Sequence, residues 1–414
     1  MKSSPCRTAV RTVATLAGFS LALAVSAQES PKPLSATEAY LFALAPYNAT
    51  RNQSNDLTEA DKLALGIGIA RAAEHCAALS ADLPKLSQDP QELFALIQLC
   101  NFGRQYEPAR AAAVRYLALE KPPLREQAFA LLARAYLGLG EPGMAEPQVR
   151  SMMLDHPYDA AIHATLRTVV DALEGLNPNY DRLAMELCDA EREATLPLLA
   201  QGKSLADKEN SFAPAALFAD AVACAALARG LHKPDGMEKL QAIADLPNWQ
   251  GTADGMTIAS ALERQQMAGK PSPLESLRGI LPGSGSLVAR TVNLRRGTVL
   301  LLPFTLWSPS ALEMAADLAQ LTPRQTIYAL TSWRANTGGE DKPSREVAEK
   351  LRQWQRGLPR TVSILIVPDT VLSGFHCDAF PAGILIRDGL VEANLPLNGR
   401  GAQRLLVRTI AKQR

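Results

Sequence analysis

The spacing of apolar residues changes once along this chain, near residue 270, and that change restricts the fold more than any other feature. Before it, apolar positions recur every three or four residues, the period of helices with one buried face. "REQAFALLARAYLGLG" places Ala128, Leu131, Leu132, Ala135 and Leu139 on one side of such a helix. "EADKLALGIGIARAAEHCAAL", "YDAAIHATLRTVVDALEG" and "FAPAALFADAVACAALARG" have the same spacing, and "SADLP", "EKPP", "GLGEPG" and "GLNPN" break the run. Farther on, "VARTVNL", "GTVLLLPF", "TIYALTSW", "TVSILIVPD" and "AGILIRDGLVEANL" are strand-like, and three helical segments, "ALEMAADLAQL", "SREVAEKLRQWQRG" and "NGRGAQRLLVRTIAKQR", alternate with them. The expectation is an α + α/β multidomain chain. An all-helical array covers 35–266, a Pro-, Gly- and Ser-rich linker 267–286, and an α/β sandwich 287–414.

The first residues have a different character. Lys2, Arg7 and Arg11 precede an apolar core from Val13 to Val25, and "VSA" ends at Ala27. That is the form of a secretory signal peptide over 1–27, and it implies an exported, periplasmic or secreted protein. A membrane anchor needs about 20 apolar residues and usually lacks such a cleavage site. No later segment is long and apolar enough to span a bilayer, so no membrane span is expected after signal removal. The formal net charge of +1 gives no electrostatic case for nucleic acid.

Export leads to an oxidising compartment, where paired cysteines persist. Cys6 leaves with the signal, and Cys76, Cys100, Cys188, Cys224 and Cys377 remain. The first four lie in Ala-rich helical text, where a Cys is most simply a small buried apolar residue. None of the spacings is CxxC or metal-like, so no disulfide scaffold, metal site or cofactor is expected. The triplets "NAT" and "NQS" have the form of glycosylation sequons.

Within the helical region, "LCNFGRQYEPARAAAVRYLALEKPP" and "YLGLGEPGMAEPQVRSMMLDHP" share an order of Gly, a small residue and Pro. This resembles the second half of a tetratricopeptide unit, with Gly140, Ala145 and Pro157 in one copy and Gly103, Ala109 and Pro122 in a looser one. Pro147 is expected to interrupt the second helix of its unit. Such an array implies a concave groove for an extended protein segment.

"VNLRRGTVLLLPFTLWSPSALEMAADLAQL" resembles the opening of exported thioredoxin-like thiol-disulfide oxidoreductases, where a buried strand leads to a Trp, a Cys-x-x-Cys pair and a helix. "FHCDAFPAGILIRDGLV" resembles the later segment of that family that carries a cis-proline. Together the two matches cover most of residues 287–410. In the family the first Cys is activated at the helix N-terminus and the second resolves the mixed disulfide. Here Trp307 matches the family Trp, so Ser308 falls at the attacking position and Ala311 at the resolving one, while Pro381 matches the cis-proline. A hydroxyl and a methyl cannot exchange disulfides, so the resemblance implies a degenerate site. "FTLWSPSA" is similar to the reactive segment of peroxiredoxins as well, and there too Ser308 replaces the reactive Cys.

The serines also suit a structural use: Ser308 as a helix N-cap before Pro309, or Ser310 and Glu313 as a capping box. Ser-His-acid hydrolysis would require a positioned His; His376 lies near the Pro381 loop, but no Gly-x-Ser-x-Gly elbow is present. Cys377 is the one thiol close to the expected pocket and the candidate reactive group. The leading expectation is therefore an exported binding or assembly protein that engages a protein or peptide through the helical groove and the cis-Pro loop. The alternative is an oxidoreductase acting through Cys377 alone.

Overall fold

The computed structural model describes residues 34–411 except 51–57, 87–88, 156–159, 201–213, 232–234, 248–252, 283–286, 308–309, 340, 378–380 and 398. The signal-like segment, the first sequon's end, the second sequon and Pro157 therefore lie outside the described residues or their side chains.

The first part of the chain is helical throughout its described residues: α1 (Ala36–Thr50), α2 (Glu59–Ser80), α3 (Leu83–Leu86), α4 (Pro90–Phe102), α5 (Tyr106–Leu117), α6 (Arg125–Gly138), α7 (Pro142–Asp155), α8 (Ala160–Leu173), α9 (Pro178–Ala200), α10 (Pro214–Gly230), α11 (Asp235–Ala244) and α12 (Ala253–Met267). From α4 to α8 each helix packs on its neighbour in sequence, so the apolar faces close on one another in a chain of pairs. In α6 the expected face holds at Ala128, Leu132 and Ala135, which are buried; Leu131 and Leu139 are half-buried.

The turns after α4 and α6 are built alike. Arg104 and Gly140 take left-handed φ of 57° and 75°, and Gln105 N–H and Glu141 N–H reach back to the carbonyls of Cys100 and Tyr136. This is the Schellman closure of a helix end, in which Gly140 is unstrained and Arg104 carries the cost of a Cβ. The left-handed position is Arg104 in one turn and Gly140 in the other, and the fully buried Ala109 and Ala145 follow them at the same spacing. One expectation is corrected. α7 continues through Pro147 instead of being interrupted there. A single proline removes one helical hydrogen bond, and packing against α6, α8 and α9 holds the rest of α7 together.

The expectation for the cysteines is also corrected. Cys76 of α2 and Cys100 of α4 are not merely small buried apolar residues but a disulfide, with their Cα atoms 5.1 Å apart. No local spacing signals it, because it arises where α2 packs across α4. Cys188, Cys224 and Cys377 are buried.

The second part contains β1 (Ser276–Pro282), β2 (Leu287–Asn293), β3 (Thr298–Pro303), α13 (Ser310–Leu321), β4 (Ile327–Thr331), α14 (Trp333–Thr337), α15 (Arg345–Gly357), β5 (Val362–Ile366), α16 (Asp369–Gly374), β6 (Ala382–Arg387), β7 (Leu390–Pro396) and α17 (Arg400–Ala411). The strands form one mixed sheet in the order β2-β1-β5-β4-β3-β6-β7. β3, β4 and β5 are parallel, and the other pairings are antiparallel. The expected linker is partly overturned. Residues 276–282 are β1, in full register with β2, and residues 269–272 hydrogen-bond to Val391 and Gly389 at the β6–β7 hairpin. Pro, Gly and Ser marked this stretch as a loop, yet Leu277 supplies a fully buried side chain and Pro282 sits at the strand's end, where its missing N–H costs little.

β3 is buried on both faces, as its continuous apolar text requires. Leu300 and Leu302 join Met314, Leu318, Leu351 and Leu406 on one face, whereas Val299 and Leu301 join Leu330, Leu365, Phe375 and Ile384 on the other. Contacts made by α17 and α12 fasten the helical part to the sheet part. α17 lies on α8, where Asp171 accepts from Gly401 N–H, Arg404 donates to the carbonyls of Asp171, Ala172 and Glu174, and Arg408 pairs with buried Asp181. α12 lies on β7, where Gln265 Nε2 donates to the Asn394 carbonyl. Among the described residues no helix is long and apolar enough to cross a membrane.

Candidate functional site

Three parallel strands end on the same side of the sheet, and in open α/β sheets the loops at such ends build binding sites. Here the loops are the Phe304–Trp307 turn after β3, Ser332 with α14 after β4, and Val367 with α16 after β5. The expected strand "TIYALTSW" stops at Thr331, because Ser332 turns the chain and caps α14 through Ala335 N–H at 3.0 Å.

Two side chains join these loops. Asn336 accepts from Leu306 N–H (2.6 Å) and donates to Thr331 Oγ1 and the Ser332 carbonyl (both 2.7 Å), so it ties the exit of β3 to that of β4. Fully buried Ser332 donates to Asp369 Oδ1 at 2.8 Å, which ties the exit of β4 to that of β5. Asp369 N–H in turn donates to Asp341. Neither Ser332 nor Asp369 stands out in the sequence by its chemistry. The local signals are a serine just ahead of "WRANT" and an aspartate just after an apolar strand, both common in structural caps.

A cleft of about 270 Å³ opens over these loops, lined by Arg334, Ala335, Gly338, Asp369, Ser373 and Cys377. Arg334 lies 3.8 Å from Asp369, so the charges at its rim are of opposite sign. The Cys377 side chain is nearly buried, with Sγ 3.6 Å from the Phe375 carbonyl.

Trp307 is 66% exposed in the turn after β3, and its indole N–H donates to the Ala335 carbonyl at 3.2 Å. Ala335 also lines the cleft, so Trp307 and Cys377 are both placed against α14. Ser308 lies outside the described residues, and so does the cap expected at Ser308 and Pro309. Ala311 falls in the first turn of α13, with its side chain likewise outside the description. Pro381 immediately precedes β6, and its carbonyl accepts from Leu397 N–H at 2.9 Å. β3 and β6 pair antiparallel with Leu301 opposite Ile384, so the end of β3 meets the start of β6. The Trp307 turn, the start of α13 and Pro381 therefore converge on one edge.

The segment bearing Cys377 is held from the helical part. His376 adopts φ of 51°, a costly conformation for a residue with a Cβ. Arg264 of α12 donates to its carbonyl at 3.0 Å, and Glu263 pairs with its imidazole at 2.8 Å. Asn394 donates to the neighbouring Phe375 carbonyl at 2.9 Å. His376 is thus engaged with α12, and among the described residues no group of three or more metal-ligating side chains gathers here or elsewhere. No family model matches the chain, and comparison with curated proteins and with solved structures returns no match.

Proposed function

We propose that this chain is an exported binding or assembly protein, in which a tetratricopeptide-like helical array is joined to a degenerate, redox-inactive thioredoxin-like domain. Its partner is a protein or peptide segment, engaged through the helical groove and the Pro381 loop. The observation that carries this reading is the antiparallel pairing of β3 with β6, which brings the end of β3, leading into the Trp307 turn, to the start of β6, just after Pro381. In the thioredoxin-like arrangement those two elements flank the dithiol, and this chain has Ser308 and Ala311 at the dithiol positions. The Cys76–Cys100 disulfide supports an oxidising destination. The matching turns at Arg104 and Gly140 support a repeated helical unit.

A second reading, an oxidoreductase acting through a single thiol, is favoured by the position of Cys377 on the cleft. Insulin reduction with dithiothreitol separates the two. The binding reading expects no acceleration over reagent alone, and acceleration that disappears in Cys377→Ala overturns it. The alignment has its own test: Ser308→Cys combined with Ala311→Cys is expected to yield a reducible pair in the folded protein. A folded double variant that never oxidises rejects the thioredoxin-like assignment.

A further inference from the structure

A second hollow, of about 200 Å³, lies where α10 and α12 meet β7 and α17, between the helical part and the sheet. Part of its wall is apolar: Ala226, Ala268, Leu395 and Leu405. The remainder is rich in hydrogen-bond donors.

Arg229, on α10, is half-buried, and its guanidinium donates to the Gln265 carbonyl at 2.6 Å. Among the described residues no carboxylate pairs with it. Burial alone pulls its pKa below the ordinary arginine value, the mark of a cation without a counter-charge. The other charges at the hollow are accounted for. Arg408 pairs with Asp181, and Glu392 lies 3.3 Å from Arg387. The site as a whole therefore carries a surplus positive charge.

Arg408 Nη1 has no hydrogen-bond partner, nor does Oδ1 of Asn394, a residue only 1% exposed. Leaving such groups unpaired is costly, and native structures contain few of them. Gln265 links the two sides of the hollow, since its backbone carbonyl takes Arg229 and its side chain reaches the Asn394 carbonyl.

We infer that this hollow is a binding site for a small carboxylate with a short apolar body. The carboxylate would lie on the Arg229 guanidinium, whose planar fork suits two oxygens, and the body would rest on Ala226, Ala268, Leu395 and Leu405. The volume is below the ~300–1,000 Å³ of sites for drug-sized ligands, which limits the ligand to a few carbons. Because both parts of the chain contribute to the wall, occupancy fastens the helical array to the sheet. The site is independent of the thioredoxin-like reading.

The test is titration calorimetry and thermal unfolding of the whole chain with acetate, propionate, lactate and inorganic phosphate at constant ionic strength. Saturable binding of propionate or lactate, tighter than that of phosphate and accompanied by a higher Tm, is expected. Arg229→Gln should weaken it at least tenfold, whereas Arg400→Gln, at the exposed start of α17, should leave it unchanged. Ala226→Leu, which narrows the hollow and keeps Arg229, should also abolish binding if Arg229→Gln fails to fold. Absence of carboxylate binding, phosphate binding more tightly, or equal affinity in folded Arg229→Gln overturns the inference.

Discussion

Asp171 caps a helix distant in sequence: its Oδ1 accepts at 2.8 Å from the N–H of Gly401, 230 residues later in the first turn of α17. A carboxylate there satisfies an orphan donor and complements the positive end of the helix. The approach is close enough that a Cβ on Gly401 would lie 2.7 Å from the Asp171 carbonyl oxygen. Asp171→Ala is expected to cost about 1 kcal/mol. Gly401→Ala should cost more, because it pushes α17 off α8. Hydrogen exchange of the α17 amides checks both, with Gly401→Ala giving the faster exchange.

Asp181 is buried and takes both Arg408 and Gly175 N–H. Arg408→Met leaves that carboxylate without its counter-charge, and a loss of about 3 kcal/mol is expected in urea unfolding. Asp181→Asn keeps an acceptor for Gly175, so the double variant should lose clearly less than the sum of the single ones. Strict additivity would mean that the pair is uncoupled.

The Cys76–Cys100 bond closes a loop across a separation of 24 residues. Replacing both with Ala should lower unfolding free energy by about 3 kcal/mol. Reducing agent should destabilise the wild type and leave the double variant unaffected.

α12 holds the loop that precedes Cys377. Arg264 and Glu263 hold His376 in its left-handed conformation beside the thiol. Removing a charged hydrogen bond of this kind should raise the population of open loop roughly tenfold. In a background with Cys188 and Cys224 changed to Ala, alkylation of Cys377 should accelerate by that factor in Arg264→Ala. An unchanged rate would show that α12 does not restrain the loop.

Lys239 joins α11 to α9 through Asp189 at 2.7 Å and to Asp235 at 3.1 Å. Burial opposes its charge, but hydrogen bonds and attraction from the two carboxylates outweigh burial and raise its pKa above the ordinary lysine value of 10.5. A raised folded-state pKa stabilises fully below the unfolded value, and the contribution is lost as pH climbs through the folded one. The stability gap between wild type and Lys239→Gln should therefore be constant at neutral pH and shrink above about pH 10.5, as followed by urea midpoints.

Much of the architecture is written in local text. The helical period before residue 267 and the buried apolar run of β3 depend on residues a few positions apart, and periodicity reports those interactions directly. The hairpin within "AGILIRDGLVEANL", a single strand by its text, emerges only as β6 and β7. Trp307 and Pro381 could likewise be singled out by motif, and strand pairing placed them on one edge. What periodicity could not supply was contact between segments distant in sequence. The Cys76–Cys100 bond, the pairing of residues 276–282 as β1, Asn336 bridging two strand exits, and Asp171 capping α17 all depend on which surfaces meet. A polar or small side chain carries the same local propensity whether it faces solvent or a distant partner. Only close packing of the helical array against the sheet decides which of them become a bond, a cap or a latch.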